Sequence, residues 1–181
     1  SGMRRKFDRL ASGTMLRLGH CRSYAERWKP LDYGDFWSQS VADTAWYEWM
    51  YAGRKRMHED MLTWVESRER TGDSIASVTD FGCGRGVGYS HAFQSKRYIG
   101  VDISPENIRW CQQNRNNQQH RYLCADFIIE DMPEKADLVF SSGTIDNCYD
   151  IDEYLFAMVK NSKKWIYLTC YRGWFPNLPE H

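Results

Sequence analysis

The sequence predicts an α/β protein built on a doubly wound, mostly parallel sheet preceded by N-terminal helices. Three observations lead there. From Ile75 onward, short apolar runs alternate with helical stretches. The runs lack strict apolar–polar alternation, as strands do when helices cover both faces of their sheet. The first run also passes directly into a glycine-rich turn, a common way for a strand of such a sheet to hand over to its helix.

Residues 41–70 come first. Ala45, Trp46, Trp49, Met50, Met57, Met61, Trp64 and Val65 recur at three- and four-residue steps, which makes one apolar face of a long helix. Gly72 suits a left-handed cap at its end. Five strands are then expected at Ile75–Phe81, Tyr98–Val101, Tyr122–Cys124, Ala136–Phe140 and Trp165–Cys170. Ser104-Pro105-Glu106 supplies a helix N-cap, a proline at the first helical position and an acid in the first turn. Asp150 with Glu153 starts another helix over residues 151–160. The domain plan is therefore an arm or lid over residues 1–40, then one domain over 41–181 with its sheet beginning at residue 75.

Composition narrows the class. Apolar residues at 42% and charged residues at 27% describe an ordered globular chain. With 24 basic and 24 acidic residues, the molecule carries no strong overall field for nucleic acid or anionic membranes. The charge is unevenly placed, however. Residues 3–30 hold eight Lys or Arg against Asp8 and Glu26, a net of +6, while residues 122–153 hold nine acids against Lys135, a net of −8. The basic arm reads either as a contact for a polyanion or as a solvated terminus. No run reaches the ~18 apolar residues of a membrane span, so no membrane partner is expected. Ser1-Gly2 reads as a cloning remnant, and no apolar segment follows Arg4-Arg5-Lys6. The six cysteines are scattered without a CxxC pair. A cytoplasmic protein with reduced thiols and no metal site is the expectation.

The chemistry sits where the first strand ends, in Asp80-Phe81-Gly82-Cys83-Gly84-Arg85-Gly86-Val87-Gly88. Glycines at alternate positions let the chain turn sharply and let a ligand lie against the main chain without meeting a Cβ. A dinucleotide fingerprint needs G-x-G-x-x-G/A. Counted from Gly82 the third glycine would be Val87, and counted from Gly84 it would be Tyr89. A phosphate loop needs Gly-Lys-Ser/Thr, which is absent. Asp80 would repel a pyrophosphate and attract an ammonium group. The implied ligand carries a positive amine.

Through these residues the chain resembles the class I S-adenosylmethionine-dependent methyltransferase family, over roughly Ile75 to Cys170. The strongest match is Asp80-Phe81-Gly82-Cys83-Gly84-Arg85-Gly86, similar to that family's acidic-x-G-x-G-x-G signature. The resemblance implies a Rossmann-like methyltransferase fold with S-adenosyl-L-methionine as cofactor and S-adenosyl-L-homocysteine as product. It implies that Asp80 and the main chain of Gly82, Cys83, Gly84 and Gly86 hold the methionine end. The family's second marker, an acid at the end of the second strand, falls on Asp102, whose two oxygens would face both ribose hydroxyls. Ile103 follows it against the adenine. Asp126 and Phe127 match the acid near the adenine amino group and a ring beside it, and Ser141–Thr144, with Ser142 among them, lies where the family lines the methyl-transfer site. The family's sheet continues into strands six and seven, for which this chain, stopping at His181, lacks the length. Either the sequence is cut short or the sheet closes differently, with edge pairing to a partner open.

Methyl transfer from a sulfonium is an in-line displacement in which positioning supplies much of the rate. A general base is needed only where the acceptor must lose a proton. Asp146 and Asn147, just past the fourth strand, are the candidates to orient an acceptor; Asp150 lies on the same edge but is already an N-cap. Tyr33–Trp37 and the helix bearing Trp46, Tyr47 and Trp49 either cap the site or only stack on the sheet. The reading is a methyltransferase acting on an oxygen or nitrogen of a small molecule. RNA or protein as acceptor is disfavoured by the acidic stretch beside the site. A cofactor-binding module without activity is the remaining alternative.

Overall fold

The computed structural model describes residues 52, 55–86, 89–145, 148 and 150–169. The expected arm over 1–40, residues 41–51 of the expected long helix and the candidates Asp146 and Asn147 lie outside these. The described part of the long helix, α1, spans Lys55–Arg70 and buries His58, Met61 and Val65. At its end the Asp73 amide donates to the Arg68 carbonyl and the Gly72 amide to Glu69, with Gly72 at φ 92°. This is a Schellman cap, and it uses the left-handed glycine anticipated there.

The sheet follows as β1 (Ser77–Phe81), β2 (Arg97–Asp102), β3 (His120–Cys124), β4 (Ala136–Ser142) and β5 (Ser162–Thr169). All neighbours pair in parallel, in the order β3-β2-β1-β4-β5. Helices α2 (Tyr89–Ala92), α3 (Pro105–Asn114) and α4 (Ile151–Asn161) connect them. Ser104 caps α3 by accepting from the Asn107 amide, and Asp150 caps α4 by accepting from Glu153. β1 starts two residues later than expected, whereas β2, β3, β4 and the start of β5 run somewhat beyond their expected apolar cores. β5 begins at Ser162, which pairs with Ala136; the exposed Lys163 and Lys164 lie in an irregularity before pairing resumes at Trp165 opposite Leu138.

Alternate residues of the strands feed two cores. Val78, Tyr98, Leu138 and Phe140 pack with Met61 and Val65 of α1 and Ile108 of α3. On the other face Phe81, Val101 and Val139 pack with Tyr154 and Met158 of α4. Asp137 ties the β1 and β4 starts together by accepting from the Ala76 and Ser77 amides and the Ser77 hydroxyl. Strand order reverses direction between β1 and β4, so the carboxyl ends of these two strands border the crevice where ligands settle in open α/β sheets. Among the described residues, Asp80, Gly82–Gly86, Asp102, Ile103, Asp126, Phe127 and Ser142 lie at or near the carboxyl ends of the strands. Among the described residues β5 is a sheet edge, and no helix is long and apolar enough to cross a membrane.

Candidate functional site

The turn after β1 needs glycine for a measurable reason. Gly82, Gly84 and Gly86 stand at φ 79°, 54° and 62°, where an L side chain is strained. Space adds a second constraint at Gly82, since a Cβ there would lie 2.2 Å from the Thr144 hydroxyl oxygen. Thr144, in the turn after β4, donates to the Gly82 carbonyl at 3.3 Å. The amides of Gly82 and Cys83 donate to the Val101 carbonyl of β2, and the Gly86 amide closes back on Cys83. Ser90 of α2 donates to the Gly86 carbonyl.

Asp102 ends β2 beside this turn and is 9% exposed. One carboxylate oxygen accepts from the Gly84 amide at 2.8 Å, the other from the Ser104 amide at 2.9 Å. Burial pushes its carboxyl up, opposed by those two amides and by Asn107. A carboxylate has about four lone-pair directions, so Asp102 keeps acceptor capacity after fastening the loop. Asp80, on β1, is more deeply buried at 3% exposure. The Tyr98 hydroxyl donates to it from 2.6 Å. Desolvation raises its pKa to about 7, against the Tyr98 hydrogen bond and with help from the negative Asp102. Among the described residues no ion pair involves Asp80. A buried carboxylate of that kind fits a ligand that brings its own positive charge.

The remaining expected residues gather near the same edge. Ile103 is half-buried beside the β1–α4 core. Asp126, half-buried after β3, accepts from the Ile128 amide and so shapes the following turn. Phe127 is buried and stacks on Phe81 with ring centroids 4.1 Å apart. Its ring thus forms part of the core under this edge. Ser142 accepts from Thr169 of β5, and Gly143 turns the chain at φ 66°. His91 is exposed, with Gln94 against its ring nitrogen. His120 is buried with its ring against the Phe93 carbonyl.

Three contacts could not be read from the sequence, although Ser141–Thr144 was expected to line the site. Thr144 fills the gap above Gly82. Tyr98 faces Asp80 from the neighbouring strand. Ser141 bridges the Phe81 carbonyl and the Tyr154 hydroxyl of α4. The only advance signal was position, since each sits on or just after a strand of the functional edge.

A parallel sheet of order 3-2-1-4-5 with a left-handed glycine turn between two buried acids defines the class I, Rossmann-like methyltransferase fold. Residues 79–164 match the family model described as a methyltransferase domain. Solved structures agree on the fold. Magnesium protoporphyrin IX methyltransferase from Synechocystis PCC 6803, with bound SAM, aligns at TM-score 0.56 and 16% identity over 72% of this chain and 70% of its own. The plantazolicin methyltransferase BpumL, in complex with a desmethylPZN analog and SAH, aligns at 0.55 and 18% over 81% and 60%. A sugar N-methyltransferase from Streptoalloteichus aligns at 0.51 and 24% over 64% and 49%. The chain thus spans less than two thirds of the length of the last two. No curated protein sequence matches.

Proposed function

We propose that this chain binds S-adenosylmethionine at the Gly82–Gly86 turn and directs its methyl group to an oxygen or nitrogen of a small molecule. The observation that carries the reading is the pair of buried carboxylates, Asp80 and Asp102, flanking a turn made of left-handed glycines. Asp80 would take the ammonium group of the methionine end, a charge partner that offsets its desolvation. Asp102 would accept from the ribose with the acceptor capacity left by Gly84, Ser104 and Asn107. Ile103 and Asp126 would border the adenine, with Phe127 behind them as a rigid support. Ser142, Gly143 and Thr144 would line the sulfonium side, where small residues permit close approach of an acceptor.

When bound, the cofactor supplies a methyl carbon on a sulfonium, to which an acceptor lone pair bonds as the carbon–sulfur electrons return to sulfur. The protein's part is to align the two reactants and keep water out. Asp146 and Asn147 follow the β4 exit in sequence and are the candidates to orient the acceptor, or to receive its proton. Residues 1–40 would serve as a lid over a domain running from 41 to 181.

Small molecules are favoured as acceptors on two grounds. The three solved relatives carry names that point to a porphyrin, a sugar and plantazolicin as substrates. Beside the site, Asp126 and Glu130 follow the carboxyl end of β3 and would repel a phosphate backbone. Calorimetric titration with S-adenosylmethionine and S-adenosylhomocysteine tests the donor half. Micromolar binding is expected, and a folded protein that binds neither overturns the reading. Labelled cofactor offered with small-molecule alcohols and amines, with RNA and with protein then tests the acceptor half; transfer only to RNA or protein would replace it.

A further inference from the structure

We propose that Arg115, backed by Trp110, is a positioning residue for the cofactor, acting through the Arg85–Gly86 backbone. The proposal rests on the reading that this turn binds S-adenosylmethionine. Most backbone groups of the turn are held by their immediate surroundings: Val101 and Asp102 of β2 take the Gly82, Cys83 and Gly84 amides, and Ser90 serves the Gly86 carbonyl. The Gly82 carbonyl is met by Thr144 and the Gly84 carbonyl by the Cys111 thiol, while the Arg85 carbonyl is met by a cation from the end of α3. The donor is the Nε of Arg115, thirty residues on, at 2.8 Å.

Arg115 is the C-cap residue of α3, and its own backbone amide already closes that helix on Cys111. Its side chain is therefore not needed to end the helix. The stem packs against the glycine turn instead: a Cβ at Gly86 would lie 3.2 Å from the Arg115 Cδ. The guanidinium sits 5.2 Å from the centre of the Trp110 ring, and the Arg85 guanidinium sits 5.4 Å from the same ring. A single indole thus attracts both cations through its π system. The Arg85 side chain, 7% exposed, also donates from Nε to Asn107 at 3.4 Å and lies 3.9 Å from Glu106. One turn residue is gripped at its carbonyl by Arg115 and along its side chain by Glu106, Asn107 and Trp110.

Such a grip has a direct effect on ligand affinity. Glycines are the residues with most backbone freedom to lose, and a site that must be ordered on binding loses that free energy from its affinity. Holding Arg85 and Gly86 in place beforehand removes part of that cost. Lysine in place of Arg115 keeps the charge and one donor but loses the planar group that lies on the indole.

The test compares S-adenosylhomocysteine binding by calorimetry in the full chain and in Arg115→Met, Arg115→Lys, Trp110→Leu and Trp110→Phe, with thermal midpoints recorded for each. Amide hydrogen exchange at Gly84–Gly86 is followed in the ligand-free proteins. Arg115→Met should weaken binding by roughly tenfold, the value of one charge-assisted hydrogen bond, and speed exchange at the turn. Arg115→Lys and Trp110→Phe should each recover part of the loss relative to Arg115→Met and Trp110→Leu. Equal affinity in Arg115→Met, with turn exchange unchanged, overturns the proposal while leaving the cofactor reading intact. A starting protein that does not bind the ligand at all removes the cofactor reading, and this proposal with it.

Discussion

The Tyr98 hydroxyl donates a 2.6 Å hydrogen bond to Asp80 across the β1–β2 pair. Tyr98 stands opposite Val78 in the register, so the bond runs diagonally to the residue two places on, along one face of the sheet. It places a phenol under the strand-end carboxylate in a region from which water is largely excluded. The bond lowers the Asp80 pKa, yet desolvation is larger and holds it at about 7.

Cofactor binding should consequently depend on pH. An ammonium partner favours ionised Asp80, and protonation below about pH 7 removes that partner. Affinity for S-adenosylhomocysteine should be level above pH 8 and fall by up to tenfold per pH unit well below 7. Calorimetric titrations between pH 5.5 and 8.5 check this; flat affinity over that range contradicts it.

Asp80 should also weaken the ligand-free fold. Its folded pKa, about 7, exceeds the ordinary 3.8, so the folded state holds the proton more tightly than the unfolded chain. The penalty is absent below pH 3.8, grows as pH rises, and is complete above about 7. At about 1.4 kcal/mol per pKa unit its upper bound is on the order of 4 kcal/mol. Asp80→Asn should therefore melt higher than the parent at pH 8, by a margin that shrinks at pH 5, while losing cofactor affinity. Melting curves at both values measure the margin.

Gly82→Ala meets two obstacles at once, a left-handed φ and the Thr144 side chain 2.2 Å from the new Cβ. We expect destabilisation of about 1–3 kcal/mol, together with loss of cofactor binding. Chemical denaturation and titration read the two effects separately.

At Asp102, alanine should do more harm than asparagine. Removing the carboxylate leaves the Gly84 and Ser104 amides without their acceptor, at about 1–3 kcal/mol for each buried group. Asparagine keeps one acceptor oxygen, so Asp102→Asn should stay folded and lose mainly ligand affinity. The contrast appears as a lower melting temperature for Asp102→Ala.

Much of this fold was legible in the linear chain because its signals are local. Apolar runs marked the five strands, and Ser104-Pro105 and Asp150 marked helix starts that the structure reproduces with their capping bonds. The glycine spacing located the turn, since only left-handed positions demand that residue so often. Strand limits were less legible. β5 starts at Ser162 through its backbone pairing with Ala136, ahead of an irregularity at Lys163 and Lys164, which polar side chains do not advertise.

By itself, then, the sequence determined the α/β class, the glycine turn and the two acids that flank it, all of which follow from periodicity and from residue types with narrow backbone preferences. Only the tertiary structure decided what holds that turn and how its acids are tuned. Thr144 reaches Gly82 from 62 residues away, and Arg115 reaches Arg85 from 30. Both contacts depend on the order of strands and the packing of α3 rather than on spacing along the chain. Tyr98 meets Asp80 because β2 lies beside β1 in one particular register. Depth of burial, which no composition reports, is what turns Asp80 from an ordinary carboxyl into one poised near neutrality.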